Sequence, residues 1–223
     1  MLAAVVLAAL VAAALVTGCG GAGRPPPIVE LSPPADTVQS RYSEISSAAW
    51  LGGDRWAVAA PNDSAVGIVD FAAGTVTPLG GRRPKPLRNP STLFVARDTL
   101  YVGDWGLRRT TLWTPAGLLA RAIPTADAVR GALPEARDDP GRFYLDLAAP
   151  PGSDGSGNRD SAAVVRVDAG FLRPDTIARL APLDIAEVNT EAGRRFERRV
   201  FSGSDLWGVV PDGSVWVARV YEN

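Results

Sequence analysis

Four aspartates lie near the ends of segments that the sequence predicts to be strands, where ligand-binding side chains are often placed. They are Asp104, Asp146, Asp168 and Asp184. Carboxylates in such positions could serve as general acids and bases or as ligands of a metal ion. Aspartate is also an ordinary turn residue, because its carboxylate accepts hydrogen bonds from neighbouring backbone N–H groups. We favour the turn interpretation for each of the four.

The sequence contains no histidine at all. Histidine is the commonest general base and metal ligand, so its absence excludes Ser-His and Cys-His catalytic devices within these residues. The chain also has no glycine-rich phosphate loop, nucleophile elbow or dinucleotide-binding fingerprint. We therefore assign no catalytic residue, no metal ligand, no cofactor-binding residue and no cofactor.

One segment, Asp154–Asp160, alternates oxygen-bearing side chains in the manner of a calcium-binding loop. It departs from that pattern at two positions: Arg159 replaces the required glycine, and Val165 stands where the closing glutamate is needed. Pro150–Ser161 is better explained as a flexible insertion between strands.

Six tryptophans could suggest a platform for carbohydrate. They are Trp50, Trp56, Trp105, Trp113, Trp207 and Trp216. Most of them fall on alternate positions of predicted strands, which favours packing between sheets over ligand binding. Trp105 follows Asp104 at a strand end, and it is the tryptophan that we most expect to be exposed.

Two basic clusters, Arg82–Arg88 and Arg194–Arg199, could form an anion-binding rim. Acidic residues balance them overall, since 23 basic and 24 acidic residues give a net charge of −1. Solvated loops are therefore the favoured interpretation, and a nucleic acid partner is not expected. The second cluster lies in an insertion, 182–201, which we expect to include a short helix over Glu187–Arg199.

The N-terminus carries an apolar run, Met1–Gly18, that ends at the only cysteine of the chain, Cys19. Leu15–Cys19, with small residues just before the thiol, resembles a bacterial lipobox. The resemblance implies cleavage after Gly18, a diacylglycerol group on Cys19, and attachment of the mature chain to a membrane. Two or three acyl chains suffice to hold a soluble domain on a bilayer.

A membrane-spanning anchor is the alternative, because 18 apolar residues lie at the lower limit of a transmembrane helix. The run also begins without the lysine or arginine that normally opens a signal peptide. Both interpretations place the rest of the chain outside the cytoplasm, in the bacterial cell envelope. Residues 19–42, rich in glycine and proline, are predicted to form a flexible tether, and residues 43–223 the folded domain.

The folded part repeats a motif of strand, tight turn and strand. Its copies are Ala48–Ala59, Thr92–Gly103 and Leu206–Ala218, with a partial copy at Arg142–Leu147. Valine and aromatic residues suit the strands, and Asp or Gly at each reversal suits the turn. Asp212-Gly213 between apolar runs is the strongest hairpin signal in the chain.

Each of the first three copies along the chain is followed by two further strand candidates, so the repeating unit is four short strands in about 44 residues. This length and strand content are those of a β-propeller blade. The aromatic residues Trp56, Tyr101 and Tyr144 are spaced 45 and 43 residues apart. A β-sandwich also has strands every 8 to 12 residues or so, but it gives no reason for the recurring unit. The sequence therefore predicts an all-β fold, a β-propeller of four-stranded blades.

The repeat resembles that of six-bladed β-propellers of the NHL and TolB-like kind, often found as bacterial lipoproteins. Trp207–Ala218 carries the resemblance, with weaker copies at Trp50–Ala59 and Leu93–Gly103. Signatures of WD40 and kelch propellers are missing. The resemblance spans most of residues 43–223, and its motifs are structural.

About three and a half blades are present by this count. Either the sequence is an N-terminal fragment of a longer propeller, which we favour, or four blades close with Ile28–Leu31 completing the last sheet. Incomplete stacking leaves blade faces and a strand edge in water. We therefore expect the isolated chain to aggregate or dimerise. A monodisperse monomer with a cooperative melt would contradict this.

These features predict a lipid-anchored, extracytoplasmic binding or scaffold module whose partner is a protein, a peptide or a glycan. The rival is an enzyme, because propellers of this class include lactonases and lyases. Its catalytic residues would lie mostly in blades outside this sequence.

Overall fold

The computed structural model describes residues 33–80, 87–147, 163–181, 185–190, 193–198, 203 and 205–219. Several features predicted above lie outside these residues: the apolar run with Cys19, the candidate calcium segment, most of the first basic cluster, and Asp184. Residues 36–223 belong to one compact unit. No helix in the described ranges is long and apolar enough to cross a membrane.

The described residues form sixteen strands and three single-turn 3₁₀ helices. The strands are β1 (Ser47–Gly52), β2 (Arg55–Ala60), β3 (Ala65–Asp70), β4 (Thr75–Pro78), β5 (Pro90–Ala96), β6 (Thr99–Asp104), β7 (Arg109–Trp113), β8 (Leu119–Pro124), β9 (Ala136–Arg137), β10 (Phe143–Leu147), β11 (Ala163–Val167), β12 (Asp175–Arg179), β13 (Ile185–Thr190), β14 (Gly193–Arg198), β15 (Leu206–Val209) and β16 (Val215–Ala218). The 3₁₀ helices are Pro61–Asp63, Trp105–Leu107 and Asp127–Val129.

Every strand pairs antiparallel with its neighbour in sequence. The first sheet is β1–β4, the second β5–β8 and the third β9–β12, and β13–β14 and β15–β16 are two-stranded. In the first hairpin Trp50 lies opposite Trp56, and the turn uses Gly52 at φ 100° and Gly53 at φ 56°. A φ near 100°, as at Gly52, is adopted without strain only by glycine. The predicted fold class is confirmed: all-β, with three four-stranded blades and a further hairpin, β15–β16.

The sheets pack face to face in chain order, through three apolar clusters. The first cluster joins sheets one and two, for example Ala57 and Val66 with Val102. The second joins sheets two and three through a row of rings in which Tyr101 and Phe143 have centroids 5.9 Å apart. The third packs β15–β16 against sheet three. Each inner sheet is therefore apolar on both faces, as stacked blades require.

The helix predicted over Glu187–Arg199 is wrong, because this segment forms the hairpin β13–β14. The paired residues run from Ile185 opposite Arg198 to Thr190 opposite Gly193. Along β13, half-buried residues alternate with exposed ones, which is the period of a strand and not of a helix. Gly193, at φ 115°, follows the reversal. Glu and Arg residues favour a helix in this segment, but the alternation of half-buried and exposed side chains is that of a strand.

The prediction that most tryptophans pack between sheets is correct for Trp113 and Trp207 and wrong for Trp50, Trp56 and Trp216. Trp113 is 1% exposed in the first cluster, and Trp207 packs on sheet three. By contrast, Trp50, Trp56 and Trp216 are 58%, 38% and 51% exposed. These three lie on faces of the first sheet and of the last hairpin that no other described sheet covers.

Candidate functional site

A pocket of about 240 Å³ lies where the second and third sheets meet at one end of their strands. Ser91 and Thr92 come from the start of β5, and Asp146 and Leu147 from the end of β10. Other lining residues come from the turn after β6 and from the β8–β9 connection: Trp105, Arg130, Ala132, Leu133 and Glu135. The pocket therefore collects side chains from two blades.

Trp105 presents an exposed indole at this pocket on a fixed backbone. The residue is 59% exposed, as predicted, and this is the highest value of the six tryptophans. Its backbone N–H donates to the carbonyl of Asn89 at 2.9 Å, which ties the turn to the segment leading into β5. Because the backbone is held, little conformational entropy is lost when a ligand packs on the ring.

Asp104 anchors the turn that carries Trp105 and does not face the pocket as a free acid. Its side chain is fully buried, and it accepts hydrogen bonds from the backbone N–H groups of Arg88, Asn89 and Leu107 at 2.8, 3.0 and 3.1 Å. Asp168 acts similarly at a second turn, accepting from Gly170 at 3.0 Å and Leu172 at 2.8 Å. Both carboxylates therefore have structural roles.

The carboxyl groups of Asp146 and Glu135 are not held in this way by backbone hydrogen bonds from the described residues. Within the described part of the chain, no hydrogen bond or ion pair reaches either carboxyl group. Although Glu135 is an exposed residue overall, burial of its carboxyl and the nearby charge of Asp146 raise its pKa to about 7. Burial also raises the pKa of Asp146. Ionising both carboxyl groups together is therefore costly.

A second polar cluster, formed by Asp138 with Arg142 and Tyr144, has a structural role. Asp138 is 3% exposed and accepts from the backbone N–H of Arg142 at 2.7 Å and from its Nε at 2.6 Å. The Tyr144 hydroxyl lies 2.9 Å from Asp138 and 3.2 Å from the carbonyl of Gly213, in the last hairpin. Burial alone would raise the pKa of Asp138, but the hydrogen bonds from Arg142 and Tyr144 hold it below its usual value. This cluster joins the third sheet to β15–β16.

The pocket can offer a ligand an aromatic surface and two carboxyl groups. The described residues contain no cluster of three or more candidate metal ligands. Sequence reasoning had singled out Trp105 and Asp146 separately, and the structure brings them together. It missed Arg130 and Glu135, because both lie in an irregular connection whose sequence gives no signal of where the chain folds back.

Replacing Glu135 by glutamine should raise the melting temperature at pH 8 and leave it almost unchanged at pH 4. The pKa is about 7 in the folded chain and 4.5 ordinarily, so the folded state loses stability as the pH rises through this window. Glutamine removes that loss. Because Glu135 is exposed, solvent screening limits the gain to about 1 kcal/mol, or roughly 2 to 4 °C. Thermal unfolding followed by circular dichroism measures it, and equal shifts at both pH values would contradict the assignment.

Comparison with known proteins gives a distant structural similarity and no family. No protein-family model matches the chain, and no curated protein matches it. Among solved structures, hydrazine synthase of Kuenenia stuttgartiensis matches over 79% of this chain with a TM-score of 0.45 and 16% sequence identity. The match covers 54% of that protein's chain, so the present chain spans about half its length. The fold assignment rests on the sheets themselves.

Proposed function

We propose that this protein is an extracytoplasmic binding module, attached to a bacterial membrane through a lipid on Cys19, whose ligand is a protein, a peptide or a glycan. Support for the anchor comes from the lipobox-like Leu15–Cys19 segment alone. The relationship to six-bladed NHL and TolB-like propellers is part of the same proposal and rests on the hairpin repeats. Fatty-acid labelling that is lost in Cys19→Ala tests the anchor.

The binding role depends on one observation. The exposed ring of Trp105 lines the same pocket as the carboxyl groups of Glu135 and Asp146, which no described residue binds. Exposure alone does not distinguish Trp105, because Trp50 and Trp216 are also more than half exposed. Trp105 differs from them in lining a pocket together with carboxyl groups, and an aromatic lining with a few polar groups is typical of ligand-binding sites.

Carboxyl groups that no described residue binds provide, in the same pocket, the polar contacts that give such sites specificity. Trp105 lies on the Asp104-anchored turn and Asp146 near the end of strand β10, whereas Glu135 lies in the connection just before β9.

Trp105→Ala should weaken ligand binding by about tenfold, because an aromatic contact contributes about 0.5 to 1.5 kcal/mol beyond its buried area. The full chain is first assayed on an array of glycans and peptides, and the best ligand is then titrated against the variant. Trp50→Ala is the matched control, since Trp50 is equally exposed but lies on the uncovered face of the first sheet and does not line the pocket. A ligand that responds to Trp50→Ala and not to Trp105→Ala would overturn the assignment.

An enzyme is the second candidate, and one specific observation favours it. A carboxyl group with a pKa of about 7, as at Glu135, is suited to general acid catalysis near neutral pH. Turnover of a bound ligand that Glu135→Gln abolishes, with binding retained, would favour the enzyme over the binding module.

A further inference from the structure

The two pocket acids differ from the carboxylates that the described part of the chain buries fully. Asp104 accepts three backbone hydrogen bonds, and Asp138 is paired with Arg142. Asp205 accepts from the backbone N–H of Ala181 at 2.7 Å and pairs with Arg219 at 2.9 Å. By contrast, Glu135 is exposed and Asp146 is half-buried, and no described residue donates a hydrogen bond to either carboxyl group. Both carboxyl groups are therefore accessible to a ligand in the pocket.

The exposed indole of Trp105 lines the same cavity as these acids. Tryptophan is the best aromatic partner of a cation, which it attracts to the face of its ring. Carboxylates are the strongest side-chain acceptors for an ammonium or guanidinium group. Aromatic and acidic groups in one concavity are therefore complementary to a positively charged group. A neutral sugar could use the ring, but it would leave the repulsion between the two acids in place.

Volume and charge narrow the choice of ligand further. At about 240 Å³, the cavity is smaller than the sites that enclose drug-sized molecules, and it suits a single side chain. Acids outnumber cationic groups in the lining by two to one, and the one cationic residue, Arg130, already has an interaction partner. A cationic side chain of the ligand is therefore the complement to the two acids.

We propose that the pocket binds a lysine or arginine side chain of a protein or peptide partner, with its cationic group between the Trp105 ring and the carboxyl groups of Glu135 and Asp146. This inference rests on the proposed binding function and names the chemistry of its ligand. The partner is consequently a basic segment of a polypeptide.

Binding of such a group is coupled to proton release. In the free pocket, burial and the charge of Asp146 raise the pKa of Glu135 to about 7. A bound cation favours the ionised form, so the proton leaves as the ligand enters. Affinity should therefore increase as the pH rises from about 6 to 8, since the acid is then already ionised.

The test is an NMR titration that follows the indole N–H of Trp105 in the full chain. The probes are acetyl-Gly-Lys-Gly-amide, its arginine counterpart, and the lysine peptide with the side-chain amine acetylated. The two cationic peptides should bind, and acetylation should weaken binding by about tenfold or more. Glu135→Gln should cause a comparable loss. Asp98→Asn, the same charge change at the turn between β5 and β6, should leave affinity unchanged.

Three results would overturn the inference. They are failure of both cationic peptides to bind at millimolar concentration, equal binding of the acetylated peptide, and an affinity that Glu135→Gln leaves unchanged. A neutral oligosaccharide that binds through Trp105 and is insensitive to Glu135→Gln would refute the cation site and leave the proposed binding function intact. If Trp105→Ala alters the binding of no ligand, both fail together.

Discussion

Asp104→Ala is expected to lower the free energy of unfolding by about 3 to 4 kcal/mol, because it leaves three backbone N–H groups without their acceptor. The carboxylate is fully buried and holds the segment before β5 and the turn after β6 together. Because Asp104 is fully buried, bulk water does not contact its carboxylate and cannot directly replace it as the acceptor. The same change should also loosen the backbone of Trp105 and weaken ligand binding at the pocket.

Asp168→Ala is the matched control for this prediction. Asp168 also accepts two backbone hydrogen bonds at a turn, but it is only partly buried, so water can replace the lost acceptor. We expect a cost of about 1 kcal/mol there. Urea denaturation of the two variants provides the comparison. If Asp104→Ala is no more destabilising than Asp168→Ala, Asp104 does not have the anchoring role described above.

Trp113→Ala should destabilise the chain by about 3 to 5 kcal/mol, the usual cost of deleting a buried aromatic side chain. Trp113 is 1% exposed and fills the space between the first two sheets, and its indole donates to the Thr111 hydroxyl at 2.9 Å. Its ring also packs against Gly80, where a Cβ atom would lie 3.3 Å from the ring. Deleting the ring leaves a cavity beside Gly80. Gly80 has φ 78°, a backbone conformation that few other residues adopt, so we expect this segment to move little into the cavity.

Trp50→Ala separates the effect of burial from the effect of removing any tryptophan. Trp50 is 58% exposed, and its indole donates to the Gly53 carbonyl at 2.8 Å within the same turn. Its loss should cost less than about 1 kcal/mol. Similar costs for the two variants in urea denaturation would mean that the first two sheets are not packed on each other through Trp113.

The hairpins could be predicted because their signals are local. Asp212-Gly213 fixes a turn through backbone angles alone, and Gly213 has φ 93° in the structure. Strand alternation also placed most of the tryptophans on alternate positions of predicted strands. It could not show which face another sheet would cover, because that depends on contacts between residues far apart in the chain. The packing of Trp50, Trp56 and Trp216 was therefore predicted wrongly.

The site could be predicted only in pieces. Trp105 and Asp146 were visible as an exposed ring and a strand-end acid, since both depend on strand boundaries. Glu135 and Arg130 belong to the connection between β8 and β9, where no periodicity exists to place a side chain. Their position beside Trp105 follows from the stacking of sheets two and three, which is a tertiary property. The hairpin at Ile185–Arg198 was missed for a related reason, since its helix-forming composition opposed its period-two alternation.

Both the propeller fold and the pocket require that consecutive sheets pack face to face in chain order. NMR measurement of proton contacts between the sheets tests this packing most directly. Nuclear Overhauser contacts are expected between Tyr101 and Phe143, whose ring centroids lie 5.9 Å apart, and between the Trp113 ring and Gly80. Contacts from the first sheet to the third, such as Val66 to Val165, should be absent. Strong contacts between those two sheets would mean that the strands form a sandwich, and would contradict both the propeller and the pocket built on it.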